Sequence, residues 1–549
     1  MRNIVFNLPA VVSEVVRQAV MVFSRIVFER TGLLVKTEGL SDLTISLAYD
    51  LSLGNEGFCI EDAAAGGIII SGHDDRGLVA GIGKLLHDAS FMPGEFVPGR
   101  WRGTSVPVMP VRGIYFATHF HNWYHDAPIE KVERYIEELA LWGTNVLSVW
   151  FDMHHYKGIN DPEAQKMLER LHAMLMAAKR IGMDTGLTTL ANEGYADSPE
   201  PLRAEWVAGQ NGYHHEPAGH YHVEICPNKP GGTELILQLA EERMEFFDDI
   251  GIDYYWIWPY DQGGCTCSAC SPWGANGFLS IARTVAHRVR ARFPKTKIVL
   301  STWYFDHFVD GEWAGLDAAF ADKPDWVDLL LADDYGDDFP PYPLQHGVPG
   351  GFKMVGFPEI SMYHCDPWGG YGANPVPAHI QSLWNQALTR LIGGFPYSEG
   401  IYEDLNKAIM AQCYWNPTKP VADTVREYLS AIGVVDVDKV VRAIDILERA
   451  FPHYLIIDND VRHVSFGNTD GADEAANLLL AADAEMPEWA KTGWRWRILL
   501  LRGIIDTELV HNNFTPTPAC DNAFKELTEI YHAQHADSWV APPLKMPGE

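Results

Sequence analysis

Tyr254 to Cys270 reads YYWIWPYDQGGCTCSAC. A short apolar and aromatic run ends in an acidic residue, Asp261, and then breaks at Gly263 and Gly264. A run this short, bounded by turn formers, predicts a buried strand that delivers a carboxylate to a loop. Similar strand ends recur through the middle of the chain. The recurrence predicts a parallel α/β barrel whose chemistry lies on the loops that follow the strands.

Working outward, VRGIYFATHFHNWY begins a first strand near Val111. GTNVLSVWFDMHHY gives a second, with Asp152, His154 and His155 on the loop after it, and GLTTLANEGY a third, ending at Asn192 and Glu193. After the quoted stretch come KIVLSTWYFD, ending at Trp303 to Asp306, and WVDLLLADDYGDD, with Asp333 and Asp334 at its end. FKMVGFPEISM ends at Glu359, and GGFPYSEGIYEDLNK ends at Glu399 with Glu403 beyond. Helical patterns separate almost all of these strands. The predicted fold class is therefore α/β, a (β/α)8 TIM barrel over residues 106–418. Residues 1–105 read as a small α/β domain, closed by the Pro- and Gly-rich linker MPGEFVPGRWRGTSVPVMP. Residues 419–549 read as amphipathic helices without strands, a helical C-terminal domain. The long segment 197–232 holds His214, His215, His220 and His222 and is expected to shape a binding site.

With 549 residues and 47% hydrophobic content, the chain can bury more than one core. A net charge of -31 argues against nucleic acid or an anionic membrane surface as partner. No apolar run approaches the roughly 20 residues that span a bilayer. The N-terminus lacks the apolar core and cleavage site of a signal peptide, so a cytoplasmic location is expected. Trp, Tyr and Phe make up 12% of residues, a content that suits sugar-stacking surfaces as well as a large core.

A barrel that gathers carboxyl groups from several strand ends into one cup suits glycoside hydrolysis. That reaction needs a proton donor for the leaving oxygen and a second group at the anomeric carbon. Asp261 or Glu399 is the expected general acid, and Glu359 or Asp333 the expected nucleophile or base. Expected around the sugar are His119, Trp150, Asn192, Glu193, Trp303, Asp334, Tyr335 and Tyr397.

The N-terminal segments Thr31-Gly32-Leu33, GNEGFCI and GGIIISGHDDRGLVAGIGKLL resemble the accessory domain that precedes the barrel in β-N-acetylhexosaminidase-like and α-glucuronidase-like glycoside hydrolases. The motif Pro110-x-Arg112-Gly113 resembles the first barrel strand of the hexosaminidase-like families, and the resemblance implies that Arg112 binds sugar hydroxyls. The α-glucuronidase-like arrangement implies an acid after strand four and carboxylates after strands six and seven, here Asp261, Asp333 or Asp334, and Glu359. The hexosaminidase-like arrangement needs an Asp-Glu pair after strand four. Here that pair is Asp261-Gln262, and Gln cannot act as a general acid.

Among eight cysteines, Cys265, Cys267 and Cys270 form C-x-C-x2-C, and Cys226 lies near a Pro-Gly turn. Four thiols at this spacing suit a structural zinc ion; reduced thiols or one disulfide are the other possibilities. The expected activity is exo-acting hydrolysis of a terminal sugar from an oligosaccharide or glycoconjugate, with no cofactor needed for catalysis. The partners expected are a carbohydrate substrate and a second copy of the chain, docked through the C-terminal helical domain. Three other readings are a substrate-assisted β-N-acetylhexosaminidase, a metal-dependent sugar lyase or isomerase using the histidines, and a catalytically silent carbohydrate-binding barrel.

Overall fold

A computed structural model describes residues 3–533 except 65, 215–222, 261–263, 335–337, 362–371, 451–452, 459–460, 467, 514 and 516. The N-terminal unit is a six-stranded sheet in the order Val35–Lys36, Ile4–Asn7, Leu43–Tyr49, Ile68–Gly72, Phe58–Asp62, Gly103–Ser105. Leu43–Tyr49 alternates buried and half-buried side chains, as a one-sided strand should. Helix Glu14–Thr31 starts where Ser13 Oγ accepts the Val16 N–H at 3.2 Å and stops at Gly32, whose φ of 75° favours glycine. This helix and Asp75–His87 pack together and against the barrel helix Ile129–Leu141. A Cβ at Gly83 would stand 2.1 Å from the Leu141 carbonyl oxygen, so only glycine permits this close approach.

Eight parallel strands close the barrel: β1 (Val111–Phe116), β2 (Val146–Trp150), β3 (Asp184–Leu190), β4 (Tyr254–Trp258), β5 (Lys297–Ser301), β6 (Leu329–Asp334), β7 (Lys353–Pro358) and β8 (Leu391–Gly394, resuming at Tyr397–Ser398). β1 pairs with both β2 and β8, which closes the ring. β5 ends at Ser301, two residues before Trp303, and the chain then turns through Tyr304 and Asp306 at positive φ. Rings fill much of the interior, beside Val299, Leu331 and Val355, which share their inward register. Trp256 lies edge-on to Phe395 at 4.5 Å, and Tyr115 sits between Trp256 and Tyr397 at 5.7 and 5.8 Å.

Beyond the barrel run the helices Val421–Ala431, Val437–Ala450, Ala472–Glu485, Trp494–His511 and Pro518–Tyr531. The expectation that strands stop near 420 is corrected by an antiparallel hairpin, His453–Asp458 with Val461–Phe466. The helical domain reaches the C-terminal end of the barrel. Ala373, on the chain between β7 and helix Pro377–Ala387, donates its N–H to the Ile498 carbonyl at 3.1 Å, and its own carbonyl accepts Arg502 Nη1 at 2.7 Å.

Candidate active site

Alternation along the strands points every second side chain into the barrel, and the last inward residues form a cup. Its floor is aromatic. Trp258 lies 4.9 Å from Phe357 and 5.4 Å from Trp303, and Tyr397 lies 5.8 Å from Phe357. On the β1–β2 side, His119 stacks on Trp150 at 4.6 Å, and its Nδ1 is 2.7 Å from the Tyr115 hydroxyl. Burial pushes His119 down to about 3, so it is neutral. The Trp258 indole N–H is buried without a hydrogen-bond partner among the described residues.

Carboxyl groups rise from this floor on β6, β7 and β8. Glu359 follows β7 and is 4% exposed; Glu399 follows β8 and is 1% exposed. The Glu359 backbone bridges in parallel to Tyr397, and the Tyr397 hydroxyl feels the charges of both Glu399 and Glu359. Burial, then the charges of Glu399 and Glu359, raise Tyr397 well above its ordinary value of 10, so its hydroxyl keeps its proton. Ser361 donates its N–H and Oγ to Glu359 Oε1 at 2.5 and 3.0 Å. Asp333, on β6, borders a cavity of about 540 Å³ shared with Tyr304, Asp306, His307, Trp313 and Tyr342. Burial lifts Asp333 to about 6 against the pull of backbone N–H groups. A larger cavity, about 850 Å³, lies between the N-terminal domain and the C-terminal helices, and no strand-end carboxyl lines it.

Glu403 holds the β8 loop rather than facing the cup. Its Oε1 accepts Ser398 Oγ at 2.7 Å and the N–H groups of Glu399 and Gly400 at 2.8 and 2.9 Å. Buried Lys407, 3.5 Å away, balances its charge and donates to the Tyr135 hydroxyl at 2.8 Å. After β2, Asp152 is clasped by two imidazoles, His154 Nδ1 at 2.5 Å and His155 Nε2 at 3.0 Å. Burial disfavours a charge on His154, but Asp152 and Glu193 outweigh it and raise His154 to about 10.

Several expected residues have other work. Arg112 is corrected: it sits at the N-terminal end of β1, opposite the cup, and is 2% exposed. It donates to the carbonyls of Gly143 and Met109 at 2.8 and 2.9 Å and pairs with Glu56 of the N-terminal domain. A fully engaged guanidinium at the far end of the barrel cannot hold a substrate in the cup. Asn192 is tied to backbone on both sides, donating to the carbonyls of Ile225 and Gly264 at 3.1 and 2.8 Å and accepting the Gly264 N–H at 3.0 Å. Glu193 accepts the Met153 N–H at 2.7 Å and lies 4.0 Å from Arg243, so it anchors the β2 loop. His119, Trp150, Trp303 and Tyr397 are buried in the aromatic cluster at the strand ends. Asp261 and Tyr335 fall outside the described residues, as does the Asp334 side chain.

Sequence reading missed Glu224. It forms a bridge with Glu193 and is 3% exposed. Burial pushes it up to about 8, with Glu193 adding to the shift and His154 opposing it. Only the pairing of residues 31 apart along the chain brings it to the β3 end, and no local pattern marks it.

No protein-family model matches this chain, and no curated protein matches it in sequence. Solved structures do match in fold. A family GH115 4-O-methyl-α-glucuronidase with specificity for decorated arabinogalactans superposes with a TM-score of 0.62 at 12% identity, over 97% of this chain and 76% of that one. A family 89 glycoside hydrolase from Clostridium perfringens, in complex with GlcNAc-α-1,4-galactose, gives 0.63 at 10% identity, over 94% of this chain and 64% of that one. The chitobiase of Flavobacterium johnsoniae gives 0.55 at 15% identity, over 96% and 93%. The chain thus has the (β/α)8 barrel with flanking domains that these glycoside hydrolases have.

Proposed function

We propose that this chain is a glycoside hydrolase, exo-acting on a terminal sugar of an oligosaccharide or glycoconjugate. The observation that carries the reading is that Glu359 and Glu399, two buried carboxyls from adjacent strand ends, both bear electrostatically on Tyr397 above an aromatic floor. In this reading Glu359 is nucleophile or base. Ser361 holds its carboxyl in place with two hydrogen bonds. The proton for the leaving oxygen comes from Glu399 or from Asp261. Asp333, lifted to about 6, keeps its proton into mildly acidic pH and is mostly ionised at neutrality, so it can take either part. Trp258 and Trp303 offer faces to a sugar ring, and the Trp258 N–H offers a donor to a hydroxyl. Residues 197–232 would close one end of the site, which suits an exo mode.

A second reading, a metal-dependent sugar lyase or isomerase, draws on Asp152, His154 and His155, whose donor atoms lie within 4.8 Å of one another. Against it, each Asp152 oxygen already meets an imidazole. A panel of aryl glycosides, covering N-acetylhexosaminides, uronides and neutral hexosides, tests both readings. The hydrolase reading expects one substrate to be cleaved, with Glu359→Gln and one of Glu399→Gln, Asp261→Asn or Asp333→Asn losing ~10²–10⁴-fold in kcat. If all four variants keep full activity, or nothing is cleaved until a divalent ion is added, the hydrolase reading fails.

A further inference from the structure

We propose that Cys226, Cys265, Cys267 and Cys270 bind one zinc ion as a closed tetrathiolate, which clamps the long β3 loop to the β4 loop. The four sulfurs, drawn from two loops, all lie within 4.8 Å of one another. Cys226 Sγ stands 3.9 Å from Cys267 Sγ and 3.8 Å from Cys270 Sγ. Tetrahedral ligands at a zinc–sulfur distance of ~2.3 Å are spaced ~3.8 Å apart, whereas a disulfide brings its sulfurs to ~2.05 Å. The observed spacing is that of a coordination shell.

The surroundings fit the same reading. The Glu205 N–H donates to Cys265 Sγ at 3.4 Å, and Asn228 Nδ2 donates to Cys270 Sγ at 3.1 Å, contacts that stabilise thiolate charge. Cys270 N–H donates to the Cys267 carbonyl at 3.0 Å, turning the C-x2-C pair so that both sulfurs face one point. All-sulfur donors select zinc or iron over hard cations such as magnesium and calcium. Cys226, Cys265 and Cys270 are buried and Cys267 is only partly exposed, so four thiolates fill the shell with no open position for substrate. That is the arrangement of a structural ion. On loading, each thiol gives its proton to solvent as its sulfur bonds the metal.

The clamp lies one residue from the wall of the cup. Ile225 and Gly264, the residues before Cys226 and Cys265, are the two that Asn192 ties together. Glu224 and Glu193 pair just beyond. The Thr266 N–H donates to the Glu205 carbonyl at 2.7 Å, extending the same seam. An ion here would fix the register of the β3 loop on the β4 loop and so the position of Glu224.

The test uses the full chain purified without chelator from zinc-supplemented cells. Elemental analysis is expected to find one zinc per chain, and replacement by cobalt(II) the intense visible d–d bands of a tetrahedral tetrathiolate. Cys265→Ser with Cys270→Ser is expected to abolish both signals, while Cys59→Ser leaves them intact. Should the double variant fail to fold, the metal content and cobalt spectrum of the unaltered chain decide alone. Less than a tenth of an equivalent of zinc, a disulfide among the four in mass analysis, or stoichiometric iron in place of zinc would overturn the proposal. None of these readouts depends on glycosidase activity.

Discussion

Tyr531, on the last described helix, donates its hydroxyl to the backbone carbonyl of Glu399 at 3.0 Å. The same hydroxyl lies 2.8 Å from where a Cβ at Gly400 would stand, so the C-terminal domain presses directly on the β8 loop. Removing the donor strands a buried carbonyl, at a cost of about 1–3 kcal/mol. Tyr531→Phe is therefore expected to lower urea stability by that amount. If Glu399 is catalytic, kcat also falls while KM holds, because the variant loosens a reacting group without touching the substrate. Unchanged kcat in the folded variant would separate the helical domain from the chemistry.

Tyr397 offers a sharper test of the carboxyl pair. Burial and the charges of Glu399 and Glu359 keep its hydroxyl protonated, and a donor held near both can stabilise charge that develops there. Removing one such oriented donor typically costs ~10²–10³-fold in rate. Tyr397→Phe keeps the ring contacts with Tyr115 and Phe357, so stability is expected to change little. A kcat within twofold of the parent would place the chemistry elsewhere in the cup.

How far the sequence carries the reading depends on range. Short aromatic and aliphatic runs between helical patterns are local signals, and they located all eight barrel strands and the acidic ends of β6 to β8. The C-x-C-x2-C spacing is also local. Arg112 went astray because its partner, Glu56, lies in another domain and nothing near Pro110 reveals which end of the strand the side chain faces. Glu224 and Tyr531 escaped notice for the same reason. Each acquires its meaning from a contact that forms only once distant segments have folded together.

Arg112 belongs to an ion network that docks the N-terminal domain on the barrel. Glu56 pairs with Arg112 and, at 3.0 Å, with Arg76, which also reaches Asp184 on β3 and the Gly182 carbonyl. Removing one member of a buried pair leaves an uncompensated charge, so Arg112→Met is expected to cost about 3–5 kcal/mol without weakening sugar affinity in the folded fraction. The network also sets an acid limit. Burial works against the Glu56 charge, yet Arg112 and Arg76 hold its folded value below the ordinary 4.5. A depressed carboxyl contributes stability above its ordinary value and loses it as pH falls through the folded one. Below pH 4.5 the parent should lose melting temperature more steeply than Glu56→Gln, measured by calorimetry.

Glu224 has the opposite sign. Its folded value of about 8 lies above the ordinary 4.5, so the fold favours the protonated form. Its stabilising share is complete below 4.5 and drains away as pH rises to about 8. Glu224→Gln preserves the shape of the neutral acid and cannot ionise. The variant should therefore show a flatter decline in melting temperature from pH 5 to 8 and a higher value than the parent at pH 8. Some slope remains, because buried Glu312 is also raised to about 8 and accepts the Tyr260 hydroxyl at 2.5 Å. If the glycosidase proton donor is Glu224 rather than Glu399, the same variant also loses turnover across the whole pH range, because an amide cannot supply the proton. One residue then separates a structural proton from a catalytic one: stability changes in both cases, and turnover in only one.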